Sequence, residues 1–118
     1  MDISKKIAEM KEDPDFAEHV GMILIHNGTV RAWSRGDHSP VKQIEVQVDL
    51  ERIEQIRREM EQRDGIFKVV VEARSGVMMP GDDLLFLIVA GDIRENVKPA
   101  LAELLDRVKA EAITKREM

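Results

Sequence analysis

Apolar and polar positions change their period several times along this chain, and each change marks an element. Ile3, Ile7, Ala8 and Met10 fall at helical spacing, so a short helix is predicted there, stopped by Pro14. "VGMILI" at Val20–Ile25 is an apolar run of strand length that continues into "HNGTVRAW", with Asn27-Gly28 marking a turn or bulge. "SRGDHSP" is loop by composition. In "VKQIEVQV", Val41, Ile44, Val46 and Val48 come close to alternation, the mark of a half-buried strand. Asp49 is placed to cap a helix over Leu50–Arg63 with Leu50, Ile53, Ile56 and Met60 on one face, closed by Asp64-Gly65.

"IFKVVVEAR" reads as a further strand, "SGVMMPGDD" as a turn-rich connection, and "LLFLIVA" as a strand apolar on both faces. Ile93, Val97, Leu101, Leu104, Leu105 and Val108 return to helical spacing and predict a last helix over Asn96–Glu111, with Pro99 in its first turn. The order α-β-β-α-β-β-α, with hairpin-like connections, predicts an α+β fold: a largely antiparallel sheet covered on one face by the two long helices. At 118 residues, with no linker, repeat or low-complexity segment, residues 1–118 are expected to form one domain.

Composition removes several functions. There is no cysteine, hence no disulfide, thiolate metal site or thiol nucleophile, and any sulfur chemistry must bring its sulfur on a partner or substrate. A net charge of −5 argues against general nucleic-acid binding, and a single tryptophan with no tyrosine argues against a base-stacking platform. No apolar run reaches the roughly 20 residues of a membrane span, and the N-terminus lacks the apolar core of a signal peptide, so the expected compartment is the cytoplasm. P-loop, G-x-G-x-x-G and G-x-S-x-G motifs are absent. His19, His26 and His38 lie in separate segments and read as surface or loop residues; no metal site is expected. Asp82-Asp83 and Asp13-x-Asp15 read as turn and capping groups.

Cations are left. Arg31 ends the first strand region, Arg74 the third strand, Arg94 precedes the last helix, and Lys109, Lys115 and Arg116 close the chain in "RVKAEAITKREM". Two readings stand on spacing alone. The closing cations are solvated charges that favour the helix C-terminus, or several cations converge on an anion.

The ordered pieces "GTVRAWSRGD", "VVVEARSGVMMPGDDLLFLIVAGDIR" and "LLDRVKAEAITKRE" resemble the large, catalytic subunit of molybdopterin synthase over about Met22–Glu117. They stand where that family has a G-x-V-R loop, an H-R-x-G element, a turn and apolar strand, a second H-R pair, and a D-x-L-K helix end followed by P-I-W-K-K-E. The resemblance implies an α/β hammerhead-like fold. It also implies a homodimer within a heterotetramer, whose partner is a ubiquitin-like small subunit with a Gly-Gly thiocarboxylate terminus. The implied reaction moves sulfur from that terminus to cyclic pyranopterin monophosphate in molybdenum cofactor biosynthesis, with no cofactor of its own.

By position, the resemblance makes Lys109 and Lys115 catalytic and Arg31, Arg94 and Arg116 substrate-binding. Both family histidines are replaced, at Ala73 and Ile93, and the tryptophan of P-I-W-K is Thr114. A one-residue shift would put Val108 and Asp92-Ile93 at the lysine and H-R positions. Those departures leave a second reading, a non-catalytic relative serving as a dimeric binding or regulatory module.

Overall fold

A computed structural model describes residues 2–118. Its elements are α1 (Ile3–Lys11), α2 (Phe16–His19), β1 (Met22–Thr29), β2 (Ile44–Val48), α3 (Leu50–Glu61), β3 (Ile66–Ala73), β4 (Gly76–Met78), β5 (Asp83–Gly91), α4 (Arg94–Glu111) and β6 (Ile113–Glu117). They build two three-stranded antiparallel sheets, β1-β5-β3 and β4-β2-β6. The α+β class with helices packed on antiparallel sheet is as the sequence predicts.

β5 is the centre of the larger sheet, and its residues from Leu84 to Gly91 are all buried. Its two faces feed two cores. Leu85, Leu87 and Val89 pack with Ile53, Ile56 and Met60 of α3 and with Val97, Ala100, Leu104 and Val108 of α4. Ile88 and Ala90 face the other way, against Met10, with Phe16 and Phe67 at the margin. A strand that serves two cores must be apolar at every position, which is why "LLFLIVA" lacks alternation.

The connectivity differs from the hairpins that the sequence predicts. β1 and β2 do not pair: β1 lies beside β5, and the segment between β1 and β2 crosses to the smaller sheet. The turn-rich "SGVMM" supplies β4, and the closing residues form β6 rather than a trailing helix end. Both were illegible for the same reason. β4 has three residues, and β6 reads Ile-Thr-Lys-Arg-Glu with only Ile113 partly buried, so neither displays alternation.

Helix ends also shift. Asp49 caps α3 as predicted, its side chain accepting from Arg52 N at 3.0 Å. Leu50 is nonetheless 69% exposed, and the buried stripe begins at Ile53. Ile93, read as part of the last helix's apolar face, is the residue before α4 and is exposed. Since α4 starts at Arg94, Pro99 falls in its second turn rather than its first.

Candidate functional site

The smaller sheet and the C-terminal end of α4 meet β1 around an open cleft of about 210 Å³. Each wall follows from a local feature of the chain. In β1, residues two apart share a face, so His26 and Gly28 both look into the cleft, and a register shift between Gly28 and Thr29 turns the chain towards Arg31. Lys109 comes from the last turn of α4. The helix stops at Ala112, whose N–H still donates to Val108 O at 3.0 Å and whose carbonyl accepts from Asp49 N at 2.8 Å. The chain then reverses into β6, where alternation sends Ile113, Lys115 and Glu117 to the cleft and Thr114 and Arg116 away from it.

The α4 end is braced from the side opposite the lysines. Arg107 pairs with Glu111 at 3.0 Å and with Glu59 of α3 at 2.7 Å, and Arg52 pairs with the same Glu111. These cations, Arg107 foremost, hold the Glu111 carboxyl below the usual carboxylate range.

Three cations, Arg31, Lys109 and Lys115, therefore line the cleft against one carboxylate, Glu117, in a chain whose net charge is −5. That crowding acts on Lys115. Although Lys115 still reaches solvent, its ammonium is pushed below the ordinary lysine range, first by partial desolvation, then by the charges of Lys109 and Arg31. Glu117 opposes the shift. An anion entering the cleft would relieve that repulsion, which is the electrostatic definition of an anion site.

His26 was not legible as a site residue. Its Nε2 is buried without a hydrogen-bond partner, and a Cβ at position 28 would sit 3.1 Å from it, so Gly28 leaves the room that the imidazole uses. Burial first, and Lys109 second, hold the ring below the usual histidine range. The available signal was the i, i+2 pairing of His26 with Gly28 next to the G-x-V-R element; separate from the other histidines, it read as a surface residue.

Other expected site residues lie elsewhere. Arg94 is the first residue of α4, paired with Glu95 at 3.3 Å, and 15 residues of helix put it about 22 Å along the axis from Lys109. Arg116 projects from the reverse side of β6 and pairs with Glu45 at 2.9 Å. Arg74 donates to Asp83 O at 3.2 Å, a strand-end role. Asp82 accepts from Met79 N at 2.9 Å and Asp13 from Asp15 N at 2.8 Å, as turn groups. Among the described residues no cluster of three or more histidine or acidic side chains is arranged for a metal ion. No described helix is long and apolar enough to cross a membrane.

Solved structures share this architecture. A Burkholderia ambifaria molybdopterin biosynthesis MoaE protein superposes with a TM-score of 0.76 at 20% identity, over 100% of this chain and 82% of that one. A Staphylococcus aureus molybdopterin synthase gives 0.72 at 21% identity, over 84% of this chain and 74% of that one. A Helicobacter pylori complex of subunits 1 and 2 of molybdopterin-converting factor gives 0.69 at 13%, over 98% of this chain and 77% of the other. At these identities the likeness is one of fold.

In sequence, a probable molybdopterin synthase of Haloferax volcanii is 30% identical over 116 residues, 94% of this chain but 44% of the relative, so the chain spans less than half of that protein's length. The family model described as MoaE protein matches residues 1–111. With nearly its whole length matched, and with the fold of solved MoaE proteins, the chain belongs to the MoaE family.

Proposed function

We propose that the cleft between β1, α4 and β6 is the sulfur-transfer site of a molybdopterin synthase large subunit. Its substrates are the thiocarboxylate terminus of a ubiquitin-like small subunit and cyclic pyranopterin monophosphate, both anionic. The observation that carries this reading is the convergence of Arg31, Lys109 and Lys115 on one cleft, with the Lys115 ammonium destabilised by its neighbours.

Each residue has a part that follows from its position. Arg31, with five fixed donors, suits an oxyanion of the substrate phosphate. Lys109 and Lys115 offset the negative charge brought in by the thiocarboxylate and the charge that develops as sulfur adds to the pterin. Lys115, whose proton is held less tightly than an ordinary lysine's, is the better placed of the two to give up or take a proton during transfer. The protein needs no thiol, in keeping with its lack of cysteine. Arg94 is too far along α4 to serve the same cleft; in the homodimer within a heterotetramer that the family resemblance implies, it would serve a neighbouring copy. The cytoplasm is the compartment this chemistry suits.

The test is reconstitution. The purified protein, a thiocarboxylated small subunit and cyclic pyranopterin monophosphate are combined, and molybdopterin is read as its oxidised fluorescent derivative. Product is expected, with losses of about tenfold or more for Lys109→Ala and Lys115→Ala if each contributes electrostatic stabilisation of ordinary size. A folded protein that binds the small subunit but yields no product would instead establish the non-catalytic binding module.

A further inference from the structure

We propose that Trp33 is a positioning residue for the cleft: its indole holds the Arg31 guanidinium at the rim, and a closed hairpin that ends in the His38 ring holds the indole. This inference rests on the reading of the cleft as an anion site that uses Arg31.

The guanidinium carbon of Arg31 lies 4.8 Å from the centre of the Trp33 ring, within cation–π range. Among the described residues no ion pair ties down the Arg31 side chain; it lies over the indole instead. A long exposed arginine would otherwise spread over many rotamers, and an anion would have to order it on binding.

The indole is itself fixed. The His38 ring stacks on it with centroids 4.7 Å apart and planes 11° from parallel. His38 has φ of 59°, a left-handed conformation that few non-glycine residues adopt, and it turns the chain back under Trp33. Around that turn, Ser34 N donates to Ser39 O at 2.8 Å, His38 N to Ser34 O at 2.9 Å and Val41 N to Ala32 O at 3.0 Å. Asp37 accepts from Ser39 N at 2.9 Å, and Trp33 bridges Pro40.

The hairpin is also tied to the lysine wall. Ser34 Oγ donates to Glu117 at 3.2 Å, and Glu117 lies two residues after Lys115 on the same face of β6. The segment between β1 and β2, loop by composition, is thus a hydrogen-bonded support for one cleft residue. The sole tryptophan of the sequence stands at its centre.

The experiment is a calorimetric titration with inorganic phosphate at fixed ionic strength, run beside the reconstituted synthase assay. It uses the full chain and the variants Arg31→Ala, Trp33→Leu, Trp33→Phe and His38→Asn. Losing a cation–π contact at an exposed site is expected to weaken phosphate binding about two- to fivefold in Trp33→Leu. In the assay the same variant should raise KM by a similar factor with kcat within about twofold, since the Arg31 contact it supports is present in ground and transition states alike. Trp33→Phe, which keeps an aromatic face, should restore most of the loss. His38→Asn, which tolerates the left-handed backbone but lacks the ring, should give a smaller loss. Adding Trp33→Leu to Arg31→Ala should change nothing further, because the two act as a unit.

The outcomes separate the two ideas. If Arg31→Ala weakens binding while Trp33→Leu binds as the parent does, the positioning role is wrong and the anion site stands. If phosphate does not bind the parent, or binds Arg31→Ala equally well, the anion reading falls and the positioning role with it. A loss in Trp33→Leu that persists undiminished on top of Arg31→Ala would overturn the proposal, since it would show a general packing defect.

Discussion

Lys109 and Lys115 come from different elements, the last turn of α4 and the middle of β6, yet line the same cleft, because the chain reverses at Ala112 between them. The Lys109 charge is felt across that reversal: it is, after desolvation, the foremost cause that lowers the Lys115 ammonium. Lys109→Ala should therefore raise the Lys115 pKa towards its ordinary 10.5, followed by NMR of isotopically labelled lysine side chains. The linkage has a definite sign. With the folded-state value depressed, the unfolded chain binds more protons between that value and 10.5, so stability rises with pH through this window. At neutral pH the charged lysine costs the folded state something, and Lys115→Gln should unfold no more easily than the parent even as it loses activity. A clear loss of stability in Lys115→Gln would show that this lysine serves the fold.

A second titration should appear on the acid side. His26 is held below the ordinary histidine value of 6.5 by burial and then by Lys109. The unfolded chain thus takes up a proton as pH falls below about 6.5, before the folded chain does, and stability declines across that interval until the folded imidazole also charges. His26→Phe should flatten this part of the stability profile, measured by urea unfolding between pH 5 and 7.5. An unchanged slope would mean that His26 titrates freely.

How legible was this molecule in its residues? Asp49 before an apolar stripe and the unbroken apolar run of β5 carry local signals strong enough to read alone. The connectivity does not, because the pairing of β2 with β6 joins Ile44 to Glu117 across most of the chain. The family's ordered motifs single out Lys109 and Lys115, and the cleft brings the two lysines together with Arg31. The same motifs named Arg94 and Arg116, which the fold sends elsewhere: one to the far end of α4, the other to the reverse face of β6. His26 and Trp33 carry no such signal, because what matters about them is contact with residues distant in sequence, as Lys109 is from His26, or folded back by a left-handed turn, at His38.

The start of α3 bears on the site through Asp49. Its side chain accepts from Arg52 N, and its own N–H donates to Ala112 O, the residue that turns the chain into β6. Asp49→Ala removes the first bond and leaves the second, and should cost about 1 kcal/mol, the usual worth of such a cap. Thermal unfolding should show the loss while synthase activity at low temperature stays close to the parent's. A large activity loss would mean that the cap also fixes the reversal before Lys115.

The far end of α4 offers the sharpest stability test. Gly65 has φ of 78°, and its carbonyl accepts from Asp92 N at 2.9 Å. A Cβ there would lie 2.3 Å from Asn96 Nδ2 and 2.5 Å from Asp92 Oδ1. Those two atoms are bonded to each other at 2.9 Å, and Asp92 also accepts from Ile93 N at 2.6 Å, so together they shape the entry to α4. Gly65→Ala should cost about 1–3 kcal/mol for the left-handed backbone alone, and more because Asn96 must leave Asp92. Asn96→Ala removes the clash with Nδ2 but not the backbone strain. In that background the cost of Gly65→Ala should shrink without vanishing, measured as the non-additivity of the two changes in chemical unfolding. Equal costs in both backgrounds would assign the effect to backbone conformation and the approach to Asp92, and none of it to the contact with Asn96.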